Sequence, residues 1–350
     1  MLVETNITPS NSFISSTTPA TDFFAGRFFV VILYIAYVEP FFCGIGVVGN
    51  LMVLVAMARV RHEFSRNVRL YYSILAVADF VMVVIFFIGD FLERGIAYLA
   101  TGGQSFPILT VDGTNWLCKL CEAMWIASDT VSGFTLVCLG FERFIAVTWP
   151  LRAKTILTLR FSAIFETSVN LLAVLSVIPL LIVDYKLVDG IGCWYDFSLP
   201  FTDLYIILEN IIPLEYTLFS FVFNVYLTAR IVLATLKRRH MMSGSGGGGG
   251  PTGVSSRELS NITMLLTIEV IRLVIYLPNS VLYFAYIWIK GDVIENLQGL
   301  FNELSLIPHA INIFVYFSRS RAFREAIFGT RCFKGVPTRS SSSKLSSNDH

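Results

Sequence analysis

The chain has 350 residues, of which 55% are hydrophobic, 14% aromatic and only 15% charged, against about 25% charged in an average soluble domain. A soluble fold of this size cannot hide so much apolar surface without a larger polar shell, so the composition excludes an ordinary soluble protein. The formal net charge of +1 carries no nucleic-acid signature, and six cysteines are too few for a disulfide scaffold.

In chain order, residues 1–27 open with a polar leader rich in Ser and Thr. It lacks the basic stretch and short apolar core of a cleavable signal peptide. Asn6-Ile7-Thr8 is a glycosylation sequon, with Asn6 as the acceptor. Seven apolar runs follow, at Phe28–Ala58, Val68–Leu92, Trp116–Thr148, Phe161–Val183, Phe201–Leu236, Leu259–Ile289 and Val293–Phe317. About 20 apolar residues cross a bilayer as a helix, so each run is long enough to span. The expected fold is therefore an all-α membrane protein, a bundle of seven transmembrane helices over residues 28–317. Between the fourth and fifth runs, Tyr185–Asp196 alternates around Gly190 and Gly192 and predicts a β-hairpin.

Basic residues in the loops set the direction. With the N-terminus outside, twenty Lys and Arg fall on the inner side and five on the outer side, with Arg272 inside the sixth run. That balance requires an odd number of crossings. It gives an extracellular tail (1–27) and a cytoplasmic C-terminus in a multi-pass plasma-membrane protein. The inner loop before the sixth run holds Gly246–Gly250 and reads as a flexible linker. Residues 318–329 place Ala322, Phe323, Ala326 and Ile327 on one face and basic residues on the other, which predicts a short amphipathic helix on the inner membrane surface. Cys332 at its end is a candidate for palmitoylation. The serine-rich residues 330–350 read as a disordered cytoplasmic tail.

No catalytic or nucleotide-binding motif is present: there is no phosphate-binding glycine loop, HExxH, CxxC pair or serine elbow, so an enzyme is not expected. The informative residues are polar groups inside apolar runs, which are costly and need a reason. Asn50 lies in the first run, Asp79 in the second and Glu142-Arg143-Phe144 at the end of the third. Pro278 interrupts the sixth, and Asn312-Ile-Phe-Val-Tyr316 ends the seventh. Cys118 stands at the outer end of the third run and Cys193 in the hairpin.

In their order and placement these residues resemble the rhodopsin-like family of G-protein-coupled receptors, over about residues 28 to 329. The resemblance implies a disulfide between Cys118 and Cys193, with Cys121 one turn from Cys118 as a competitor. It implies polar anchors at Asn50 and Asp79, and a sodium ion held by Asp79, Ser132 and Asn312. A protonated Asp79 in a hydrogen-bond network is the alternative. It also implies a G-protein-coupling arginine at Arg143, with Glu142 or Glu258 as its partner in a resting latch, and Tyr316 at the inner end of the seventh helix. Pro278 would be the bend about which the sixth helix swings, with Tyr276 at the aromatic switch.

The chain departs from the pattern at Ile313 in place of proline, Tyr276 in place of tryptophan, Phe144 in place of tyrosine, and in a fourth run without the usual tryptophan. Arg272 and Glu269, spaced i, i+3 on one helix, are expected to form a buried ion pair. His309 lies one turn before Asn312, beside the sodium position. Trp125 stands where amine receptors carry an aspartate, and the seventh run lacks the lysine of an opsin. The candidate ligand pocket is Trp125, Asp129, Glu209, Asn210 and Tyr276. A hairpin in the second outer loop is, in the family, typical of peptide receptors. The expected partners are an extracellular peptide ligand such as a neuropeptide, a heterotrimeric G protein, arrestin on phosphorylated tail serines, and membrane lipid. A transporter or channel, or a receptor for a small chemosensory molecule, is the alternative; the absence of internal repeats argues against a transporter.

Overall fold

The computed structural model describes residues 29–59, 65–102, 115–183, 185–188, 192–195, 214, 218–226, 228–230, 232–233, 256–289 and 291–328. Among these residues five helices are long and apolar enough to cross a membrane: Val30–Arg59, Arg66–Thr101, Lys119–Ala146, Thr263–Ala285 and Asn296–Arg319. The fourth span is the helix Leu159–Val183, and the fifth is helical over 218–226 and 228–230. Each matches one of the seven apolar runs.

Departures from a plain helix have local causes. Pro40 offers no N–H to the turn before it, and that turn, Tyr34–Val38, widens before a regular helix resumes over Glu39–Arg59. In the second span the Ser65 hydroxyl accepts from the Val68 N–H and caps the helix. That span runs nine residues beyond its apolar run, through wide turns at Phe87–Gly95, and stops at Gly102, whose φ of 63° only glycine adopts easily. The Asp90–Arg94 pair, one turn apart at 2.9 Å, carries the extension. The seventh span breaks into Asp292–Leu304, Leu306–Ala310 and Asn312–Arg319. Pro308 cannot donate to Leu304, and the helix interrupts there. The proline missing at position 313 is thus replaced by one five residues earlier.

The third span, Asn115–Thr148, packs against both the second and the fourth. First and seventh spans approach closely at two glycines: a Cβ on Gly49 would sit 2.8 Å from Ile313, and one on Gly46 would meet Val83 and the Ala310 backbone. Small residues at such crossings let membrane helices associate without a hydrophobic drive. Among the described residues one apolar cluster joins Met57, Tyr72, Leu139, Leu265, Tyr316 and Phe323. Apolar side chains such as Ile164, Leu171 and Leu172 stand exposed along the fourth span, as a lipid-facing helix requires.

The predicted hairpin is present as β1 (Tyr185–Val188) and β2 (Gly192–Tyr195), antiparallel, with Cys193 opposite Leu187, and it lies against the third span. The predicted surface helix is Arg321–Phe328. Ser320 caps it through the Phe323 N–H, Phe323 is buried against Tyr316, and Arg324 donates to the Phe317 carbonyl at 2.6 Å. The arginine thereby satisfies a carbonyl orphaned at the end of the seventh span.

Candidate functional site

Five spans bring polar side chains to one buried point at the centre of the bundle. Asp79, 1% exposed, is the inner acid. Its Oδ1 accepts from Ser132 Oγ at 2.7 Å and lies 2.7 Å from His309 Nδ1. Its Oδ2 accepts from Asn312 Nδ2 at 2.6 Å. Asn50 of the first span donates to the His309 carbonyl at 3.1 Å, one turn from the glycine contacts that bring the two helices together.

The second acid is Asp129, one helical turn from Trp125 on the third span. Its Oδ1 accepts from Tyr276 OH at 2.6 Å and from Arg272 Nη2 at 3.1 Å, and lies 3.1 Å from His309 Nε2. His309 is fully buried and stands between the two acids with one ring nitrogen on each. The chain of contacts therefore runs Asp129, His309, Asp79, Asn312 from the third span to the second and the seventh. His309 reaches this space from the short helical segment Leu306–Ala310, between the interruptions at Ser305 and Ile311.

The expected pairing of Arg272 with Glu269 is not formed. Arg272 crosses to Asp129 on the third span, while Glu269 accepts from Ser220 of the fifth span. The reason is burial: a guanidinium that is 2% exposed gains more from a carboxylate on another helix than from a neighbour already hydrogen-bonded elsewhere. Glu269 thus ties the sixth span to the fifth, and Asn224 donates to the Ser220 carbonyl beside it.

The donor set around Asp79 is a poor fit for a sodium ion. A hard cation takes several oxygen ligands. Here the side chains converging on the carboxylate present one hydroxyl, from Ser132, beside an imidazole nitrogen and an amide N–H, with the Arg272 guanidinium 3.4 Å from the same imidazole.

Trp125 packs edge-on against Phe86 one turn outside Asp129, with ring centroids 6.5 Å apart. Of the residues expected to line a ligand pocket, Trp125, Asp129 and Tyr276 are described, and Tyr276 bonds Asp129. Glu209 and Asn210 lie outside the described residues. So do Asn6, Cys332, the glycine linker, and the side chains of Cys118, Cys193 and Glu258.

The profile of the 7 transmembrane receptor (rhodopsin family) matches residues 49–318, a stretch that takes in every residue of the central site from Asn50 to Asn312. The chain belongs to this family. It is a family of receptors and not of enzymes, and no curated protein matches the chain.

In this rhodopsin-family receptor the C-terminal end of the third span is anchored sideways. Glu142 accepts from Ser162 of the fourth span at 3.1 Å, and Asn67 of the second donates to both Ser162 and the Leu157 carbonyl. Thr135, Glu166 and Asn170 form a second bridge between third and fourth spans, at 2.6 and 2.8 Å. Glu142 is therefore engaged by the fourth span, and Arg143 makes no salt bridge among the described residues. Phe144 packs on Phe223 and Tyr226, which fixes the fifth span against the third. Tyr316 is buried, edge-on to Tyr72 at 5.1 Å.

Three features escaped sequence reasoning. Pro308 was readable as a helix breaker within the seventh run. The Asp129–Arg272 pair had a signal in register: each lies fourteen residues outward from the inner-end residues Arg143 and Glu258, hence at one depth. The third is a buried acid node in the outer half. Glu39 is fully buried with both carboxylate oxygens unpartnered among the described residues, beside Tyr34 and Glu303 at the first–seventh seam.

Proposed function

We propose that the chain is a G-protein-coupled receptor of the plasma membrane, with its N-terminus outside, that responds to an extracellular peptide by activating a heterotrimeric G protein. The observation that carries the reading is the continuous buried polar path from Asp129 through His309 and Asp79 to Asn312. It joins the described part of the pocket to the inner cluster around Tyr316, so a ligand felt at Trp125, Asp129 or Tyr276 has a physical route inward. A ligand shifts a two-state bundle only by binding one state better than the other. Tyr276 and Arg272 hold the sixth span to Asp129. A ligand that competes for the Asp129 carboxylate weakens that hold, and Pro278, which lacks the N–H that would bond Val274, lets the inner half of the helix swing. Arg143, without an ion pair among the described residues, is then available to the G protein.

The peptide assignment is supported by the β1–β2 hairpin against the third span, which in receptors of this family accompanies peptide recognition. The buried acids Glu39 and Glu303 in the outer half favour a peptide with a basic group. Loop charge favours the N-outside orientation. Tail serines, once phosphorylated, supply the charge an arrestin reads.

The test is a peptide-library screen on cells expressing the full chain with a promiscuous G-protein reporter. The proposal expects a peptide agonist whose signal is lost in Arg143→Ala at equal surface expression. Ligand-dependent signalling that survives Arg143→Ala would remove the coupling role assigned to that residue.

A further inference from the structure

We infer that the cation opposing the buried acids of this receptor core is built into the chain: Arg272, with the His309 ring set between Asp79 and Asp129, takes the place of an exchangeable sodium ion. Three observations carry this. First, Asp79 is supplied from within: Ser132 and His309 meet one oxygen, and Asn312 donates to the other. Second, the His309 ring occupies the volume between the carboxylates, with contacts of 2.7 Å to Asp79 and 3.1 Å to Asp129. An ion seated there has to displace the ring. Third, a permanent positive charge already stands at that point. Arg272 is 2% exposed, lies 3.1 Å from Asp129 and 3.4 Å from His309 Nε2, and is protonated at every accessible pH. A mobile cation entering beside Asp79 meets that charge at close range in a weakly screening interior.

The groups facing the centre are Asn50 from the first span, Asp79 from the second, Asp129 and Ser132 from the third, Arg272 and Tyr276 from the sixth, and His309 and Asn312 from the seventh. A tethered cation differs from a diffusible one in where it can go. Arg272 moves only with the sixth span, so outward motion of that span withdraws the counter-charge from Asp129 and breaks the Tyr276 bond in one step. The acids therefore hold the helix directly, without a soluble ion to refill the site.

The inference concerns the folded protein and is tested without a ligand or a G protein, so it stands or falls apart from the coupling assignment. The full chain, purified in lipid nanodiscs, is melted in sodium chloride and in N-methylglucamine chloride at matched ionic strength. The expected result is the same melting temperature in both; a sodium-specific rise that saturates with concentration overturns the inference. Because Arg272→Gln alone is expected to fold poorly, it is compared with Asp129→Asn/Arg272→Gln. Recovery of folded yield in the double variant supports the tethered pair. A double variant no better than the single one overturns it.

Discussion

The acids at the centre of the bundle and those at its outer first–seventh seam are equally buried, yet they are served differently. Asp79 and Asp129 are surrounded by Ser132, Asn312, His309, Tyr276 and Arg272, all within hydrogen-bonding range. Glu39, by contrast, has no hydrogen-bond partner among the described residues for either carboxylate oxygen, and neither the Tyr34 hydroxyl nor Glu303 Oε2 has one. An unpartnered buried polar group costs stability, whereas a fully bonded network rigidifies. The centre thus reads as a lock that completes itself, and the seam as a place holding acceptors in reserve for something that arrives.

The comparison can be broken at several points. Arg272→Leu leaves Asp129 buried without its cation and is expected to cost about 3–5 kcal/mol; surface expression should collapse, and Asp129→Asn in the same chain should restore part of it. Gly49→Leu drives a side chain into Ile313, where even a Cβ sits at 2.8 Å. It should cost about 3 kcal/mol, the upper end of the usual overpacking penalty, and lower the melting temperature by separating Asn50 from His309. Ser132→Ala removes one buried hydrogen bond to Asp79 and should cost about 1–2 kcal/mol, read as a smaller fall in melting temperature. Glu39→Gln should not destabilise at all, since no bond is lost, and its melting temperature should equal or exceed that of the parent chain. The same variant should weaken a basic peptide agonist about tenfold, equivalent to about 1.4 kcal/mol. A large loss of stability in Glu39→Gln would show that the seam is structural after all and erase the contrast.

Much of this arrangement was legible in the sequence. Seven apolar runs at spanning length, the hairpin around Gly190 and the amphipathic surface helix follow from periodicity and turn chemistry, and each described span overlaps its run, although the second continues nine residues past it and the helix Pro150–Ile156 falls between runs. Ser132 and Asn312 both bond the Asp79 carboxyl. The partner of Arg272 was not legible in the same way. Spacing within one helix points to Glu269, but a buried charge chooses among all helices within reach, and that choice is made by tertiary packing. The role of His309 was hidden for a related reason. The ring stands between Asp79 and Asp129 from the short segment Leu306–Ala310, and sequence distance says nothing of two acids 50 residues apart facing each other. The outer node of Glu39 and Glu303 is formed by residues 264 positions apart on the first and seventh spans, beyond any local pattern.

The central claim is that Asp129 holds the sixth span in its resting position through Tyr276 and Arg272. The most direct measurement is ligand-free signalling of Tyr276→Phe, which keeps the ring and deletes the hydroxyl with its 2.6 Å bond to Asp129 and its 3.3 Å contact to His309 Nε2, in the promiscuous G-protein reporter at matched surface expression. The account predicts basal signalling clearly above that of the parent chain; basal signalling equal to the parent, with the agonist response intact, would contradict it.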